Sequence, residues 1–213
     1  MPIVTSGPFV GFSGTVDGIT YYPLPDGRTC AKRKNPKRTK GPSAKQFIIE
    51  QDTKLFARFM QPFQDFVKVG FEQEAKKLRL NPNNAMVQCN RANTLQGEYP
   101  NRSINYPKVL VTKGSLPGAY AAATMTDKGL VYTWATSSKS TIAHHTDQVI
   151  MLAYFPDLKE TRYLAGGTQR SSGEALLVLD GIKKGYQAEV YISFVSDDRK
   201  NISDSVHLGQ FIW

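Results

Sequence analysis

A chain of 213 residues, 40% hydrophobic and 21% charged, is long enough for one large domain or two small ones and too apolar to be disordered. No run of about 18 apolar residues occurs, which excludes a membrane-spanning helix. The 27 lysines and arginines outnumber the 18 acids and give a net charge of +9.

The opening MPIVTSGPFVGF lacks the charged region, apolar stretch and cleavage site of a secretory signal. Cys30 and Cys89 stand far apart, without metal-type or redox-type spacing, and read as free thiols of a reducing compartment. The expected address is cytoplasmic, or a virion if the chain belongs to a phage-type particle.

Two turn signals, Asp17-Gly18 and Pro25-Asp26-Gly27, punctuate segments rich in aromatic and β-branched residues. They predict a β-meander over about residues 8–13, 17–23 and 27–34, whose third strand runs into RTCAKRKNPKRTKGPSAK, residues 28–45. That stretch holds Arg28, Lys32, Arg33, Lys34, Lys37, Arg38, Lys40 and Lys45, and no acid. Without it, nineteen basic residues face eighteen acids, so the excess charge is local. Pro36, Gly41 and Pro42 keep the segment out of a helix, and self-repulsion calls for a compensating anion. Phosphates would serve through release of counterions, and so would an acidic protein surface. No aromatic residue lies inside the segment, so nucleic acid would be met at its backbone without sequence readout. The bland alternative is a solubilising linker.

Ser43 followed three residues later by Gln46 predicts a capped helix start. Ile48/Ile49, Leu55/Phe56, Phe59/Met60, Phe63 and Phe66/Val67 then recur at helical spacing, with a break at Pro62 and an end at Gly70. This stripe reads as a packing face. Another short helix is predicted from about Pro82 to Leu95, closed by Gly97.

From there the pattern is all-β. GLVYTWA, DQVIMLAYF, ETRYLA, EALLVLD, YQAEVYISFV and SDSVHLG are short runs at roughly ten-residue spacing, as in a sandwich. The alternation from Tyr186 to Phe194 predicts a half-buried strand. LVLDGIKKGYQAEVYISFVSDD resembles the strand E to strand F segment of fibronectin type III domains, Tyr186 matching the tyrosine that opens strand F. GLVYTWA resembles their strand B, Trp134 matching its buried tryptophan. The resemblance covers about residues 115–209 and implies that both rings are largely buried; the connection holding His144-His145 is longer than the family's compact loop. The opening GFSGTVDGI, the basic segment with its helix start, SINYPKVLVTKGSLPGA and FVSDDRKNISDSVHLG are similar to a bacterial family catalogued as domain of unknown function 6266. That likeness spans nearly the whole chain and implies no activity.

The fold class is thus mainly β with a helical segment: residues 1–101 as a meander, basic segment and helices, and 102–213 as a fibronectin-III-like sandwich. Residues for catalysis are not found. His144-His145-Thr146-Asp147 lacks a third histidine nearby, and Cys89 has no neighbouring base. GGTQRSSGE has strands on both sides and reads as a hairpin loop rather than a phosphate loop, and Asp197-Asp198 lacks calcium-loop spacing. No catalytic residue, metal site or cofactor is therefore expected. The C-terminal Phe211-Ile212-Trp213 is expected to be buried, either against its own domain or in a neighbour, and is assigned as an interface to a second copy or a protein partner. The expected function is a non-enzymatic structural or assembly protein, the alternative a nucleic-acid-binding protein using residues 28–45; no membrane contact is foreseen.

Overall fold

A computed structural model describes residues 3–24, 27–33, 41–136 and 142–213. The chain forms two compact units, Met1–Ala44 and Lys45–Trp213.

The first unit is an antiparallel sheet of β1 (Ile3–Val4), β2 (Gly14–Val16), β3 (Ile19–Pro23) and β4 (Thr29–Arg33), in the order β1-β4-β3-β2. Asp17 and Gly18 join β2 to β3, both with positive φ (48° and 73°), as a two-residue hairpin turn requires. The strand expected over 8–13 is instead a chain of turns, with Val10 N–H donating to Gly7 O and Phe12 N–H to Phe9 O. Gly7 and Gly11, at φ 96° and 77°, break the extended path that the aromatic residues suggested.

Helix α1 (Ala44–Met60) starts directly after Ser43, and all but its first residue belongs to the second unit. A 3-10 turn over Gln61–Phe63 carries Pro62, and α2 (Gln64–Gly70) follows it. Proline ends the long helix because it lacks an N–H and crowds the preceding turn. Gly70 closes α2 for a packing reason too: a Cβ there would meet Val111 O at 2.6 Å. Next come α3 (Glu72–Leu78), which the sequence pattern missed, and α4 (Pro82–Asn90), capped by Asn81, whose side chain accepts from Asn84 N–H. The expected helix to Leu95 stops earlier because β5 (Leu95–Gln96) pairs with β6 (Ser103–Ile104).

The remaining strands are β7 (Ala121–Thr126), β8 (Gly129–Trp134), β9 (Gln148–Phe155), β10 (Glu160–Gln169), β11 (Glu174–Val178), β12 (Gln187–Val195) and β13 (Val206–Ile212). They form a three-stranded sheet, β11-β8-β7, and a four-stranded one, β10-β9-β12-β13. Between the sheets pack Leu130, Tyr132 and Trp134 against Met151, Phe155, Val190 and Phe194. The opposite face of the four-stranded sheet offers Ile150, Leu152, Tyr154 and Tyr191 to a helical layer of Phe56, Phe59, Phe63, Phe66 and Met86. The fold is mainly β with one long helix, and its second unit has three layers.

This third layer changes two expectations. The helices anticipated with residues 1–101 share a core with the sheet, since its outer face is where their apolar stripe finds cover. The alternating strand β12 is buried on both faces, Glu189 and Ser193 included. Strand β9, also buried on both faces, reads accordingly as one unbroken apolar run. Trp134 is buried, whereas Tyr186 is half-buried: it lies just ahead of β12 at the rim of the inter-sheet core, where its carbonyl accepts the Trp213 N–H.

Candidate functional site

Of the basic residues singled out in the sequence, Arg28 precedes β4 and is half-buried, while Lys32 and Arg33 are exposed at its end. Lys45 is exposed in the first turn of α1. Lys34, Lys37, Arg38 and Lys40 lie outside the described residues.

The strand pairing brings other residues to this basic end. Residues directly opposite in an antiparallel pair share a face, and faces alternate along each strand. Tyr21 lies opposite Ala31 and Gly14, and Ile19 lies opposite Arg33 and Val16. Tyr21 and Arg33 therefore occupy one face of the sheet, in neighbouring rows. The turns of residues 7–12 cover part of that face, held by a hydrogen bond from Gly11 N–H to Thr29 Oγ1 of 2.7 Å. They place Phe9 on Tyr21, rings nearly parallel at 12° and centroids 5.0 Å apart. Phe12 meets both edge-on, at 5.8 Å from Tyr21 and 6.0 Å from Phe9. Phe9 and Phe12 remain 40% and 38% exposed. Sequence inspection correctly found no aromatic residue inside the basic segment; the register that puts three rings beside it is a tertiary fact.

The C-terminal residues serve the sandwich. Strand β13 continues to Ile212, past the SDSVHLG run that ends at Gly209. Phe211 and Trp213 pack against the inter-sheet core, and Trp213 Nε1–H donates to Ile182 O at 2.9 Å. Ile212, pointing the other way, is 71% exposed. Of the expected interface trio, two rings are thus committed within their own unit.

The charged groups inside the second unit are held by partners. His144 and His145 are exposed, while Asp147 is buried and faces Arg170, with Nε 3.3 Å from Oδ2. Arg170 was missed because nothing in its own segment marks it as buried. Its guanidinium lies 4.0 Å from the centre of the Phe194 ring and donates to Pro117 O at 2.7 Å. Burial pulls the Arg170 guanidinium below its ordinary value, and the Asp147 carboxylate opposes that pull. The segment GGTQRSSGE is not a hairpin loop: it carries the chain from β10 in one sheet to β11 in the other through a 3-10 turn at Arg170–Ser172.

On the helix-covered face, the Glu189 carboxylate meets His207 Nε2 at 2.8 Å and accepts from Gln210 Nε2 at 2.6 Å. Burial raises the Cys89 thiol, with the Glu74 charge adding to the rise, which leaves less thiolate for nucleophilic attack. Asp198 is lowered, first by the Ser196 hydroxyl bond and then by the Lys200 N–H, which together form a turn. Among the described residues no group of three or more His, Cys, Asp or Glu is placed to hold a metal ion, and no helix is long and apolar enough to cross a membrane.

No curated protein and no solved structure matches the chain. Residues 9–209 match the model of a family described as "Family of unknown function (DUF6266)". With almost its whole length so covered, the chain belongs to that family.

Proposed function

We propose that the protein is a non-enzymatic binding component of a larger assembly, phage-type or other, with Lys45–Trp213 as scaffold and Met1–Ala44 as contact element. One observation carries this reading. Among the described residues of the first unit only Thr29 and Cys30 are buried, while Ile3, Phe9, Val10, Phe12 and Val16 are exposed. A sheet of this size without a core is marginal alone and gains from a surface that covers it. Two further features support the scaffold role. The resemblance identifies β8 and β11 with strands B and E, which share a sheet here, and β12 with strand F, which lies in the other; immunoglobulin-type sandwiches divide these strands the same way. Such sandwiches commonly bind or space proteins, a fold-level analogy. Asp147, Glu189 and Asp52 are each paired inside the second unit, with Arg170, His207 and Arg102, and so hold its interior together.

Light scattering on the full chain and on residues 45–213 tests the proposal. The full chain is expected to associate, with itself or with a protein partner from its cytoplasmic or virion setting, while the truncated chain stays folded and monomeric. A full chain that remains monomeric at high concentration and low salt, and retains no partner, removes the proposal.

A second reading is favoured by the charge. The eight basic residues of 28–45 account for almost all of the net +9. Contact with nucleic-acid phosphates would release counterions, so affinity should fall steeply as salt rises.

A further inference from the structure

We propose that the face of the first sheet carrying Phe9, Phe12, Tyr21 and Arg33 is a platform for single-stranded nucleic acid. Bases stack on the exposed part of Phe9 and against Phe12, and phosphates meet Arg33. The proposal rests on the phosphate-binding reading above and adds to it a contact with the bases.

Three observations meet at this face. Phe9 is stacked on Tyr21 and remains 40% exposed, so that layering holds the ring flat without covering it. Phe12, set edge-on to both rings, bounds the platform. Arg33 stands two residues along β4 from Ala31, the residue opposite Tyr21, so it lies roughly 7 Å from the aromatic row on the same face. Exposed rings and a positive side chain beside them are the elements with which proteins hold single strands without reading sequence.

Charge selects among the possible occupants. A second copy of the chain would bring its own net charge of +9 against the first, so self-pairing through this face is opposed, and any self-association falls to the other exposed apolar residues of the unit. A duplex satisfies the charge but keeps its bases stacked on one another, leaving the rings without a partner. An acidic peptide also satisfies the charge but offers no flat surface for Phe9. A single strand satisfies both the charge and the rings.

The test uses the full chain and a dye-labelled oligothymidylate, read by fluorescence anisotropy near 50 mM salt, where phosphate contacts are strong. Inorganic polyphosphate and polyglutamate serve as competitors without bases. Phe9→Leu keeps an apolar side chain on Tyr21 and removes the flat ring. It is expected to weaken oligothymidylate binding by about five- to 150-fold, the range of one base–aromatic stack, and to leave polyphosphate binding unchanged. Arg33→Gln, at an exposed position that folding does not depend on, is expected to lower the salt slope by about 0.7. Oligothymidylate binding unchanged in Phe9→Leu, a salt slope unchanged in Arg33→Gln, or polyphosphate or polyglutamate competing charge for charge as well as the oligonucleotide, each overturns the platform while leaving polyanion binding in place. If no polyanion binds at all, both the platform and the phosphate reading fail.

Discussion

In Lys45–Trp213 two central strands are buried on both faces, and the buried charges Asp52, Asp147, Arg170 and Glu189 each meet a partner; in Met1–Ala44 four short strands bury two described residues and leave five large apolar ones at the surface. The same chain thus contains a unit closed on itself and a unit that is open. The closed unit obtains its stability from two cores sharing one sheet, so its side chains are already committed. The open unit has uncommitted rings and local excess charge. Binding function is therefore sought where burial is poorest, because apolar surface left in water there is free energy still to be gained.

The sharpest way to break this comparison is to damage the closed unit at its centre. Trp134 is buried, meets Phe194 edge-on at 5.9 Å and donates its indole N–H to Arg170 O at 2.7 Å. Trp134→Ala leaves a cavity and an unsatisfied carbonyl, and is expected to cost about 3–5 kcal/mol in urea unfolding. A loss below about 1 kcal/mol would mean that the inter-sheet core is not what holds this unit.

Alkaline pH makes a second, graded test. Burial holds the hydroxyls of Tyr132, Tyr154 and Tyr191 far above the ordinary value of 10.0. In the unfolded chain these groups ionise near that value, while in the folded chain they stay protonated. The unfolded state therefore binds fewer protons above it, and stability falls as pH rises. The contribution is complete below the unfolded value and lost as pH climbs toward the folded one. Tyrosinate absorbance should show these three appearing only as the protein unfolds. Ionisation of all ten tyrosines in a single step with the fold intact would contradict the burial assigned to them.

The legibility of the sequence follows the same division. Helices α1 and α2 were readable because one apolar stripe, one proline and one glycine settle them locally. Helix α3, Glu72–Leu78, was not, because EQEAKKL carries little apolar contrast and its place comes from packing. The sandwich strands were readable from turn spacing and apolar runs. That β12 is covered on both sides was not, because Glu189 and Ser193 look like solvent residues until His207, Gln210 and a helical layer are brought over them. In the open unit, GPFVGF looked extended by composition, and only the backbone path of Gly7 and Gly11 makes it a cap. The basic charge was visible as composition; its aromatic neighbours needed the β3–β4 register.

The smallest expected effects concern the chain end, where the comparison can be sharpened residue by residue. Phe211 faces Ala188 across the β12–β13 ladder and packs on the inter-sheet core, and Trp213 adds a hydrogen bond to Ile182 O. Each ring is only partly covered, so Phe211→Ala and Trp213→Ala are each expected to cost about 1–3 kcal/mol, less than a full core deletion. Ile212 alternates to the outside and loses little on replacement, so Ile212→Ser should fall within about 0.5 kcal/mol in the isolated chain. The pattern separates two roles that the sequence could not. If the end belongs to its own sandwich, the two aromatic variants lower the unfolding midpoint and leave the association measured by light scattering unchanged. If it is instead a subunit contact, Ile212→Ser dissociates the assembly at unaltered stability. The strand pairing favours the first outcome: an end that is hydrogen-bonded as part of a ladder and roofed by its own core has one exposed apolar side chain left to offer, and that is less than the open unit presents.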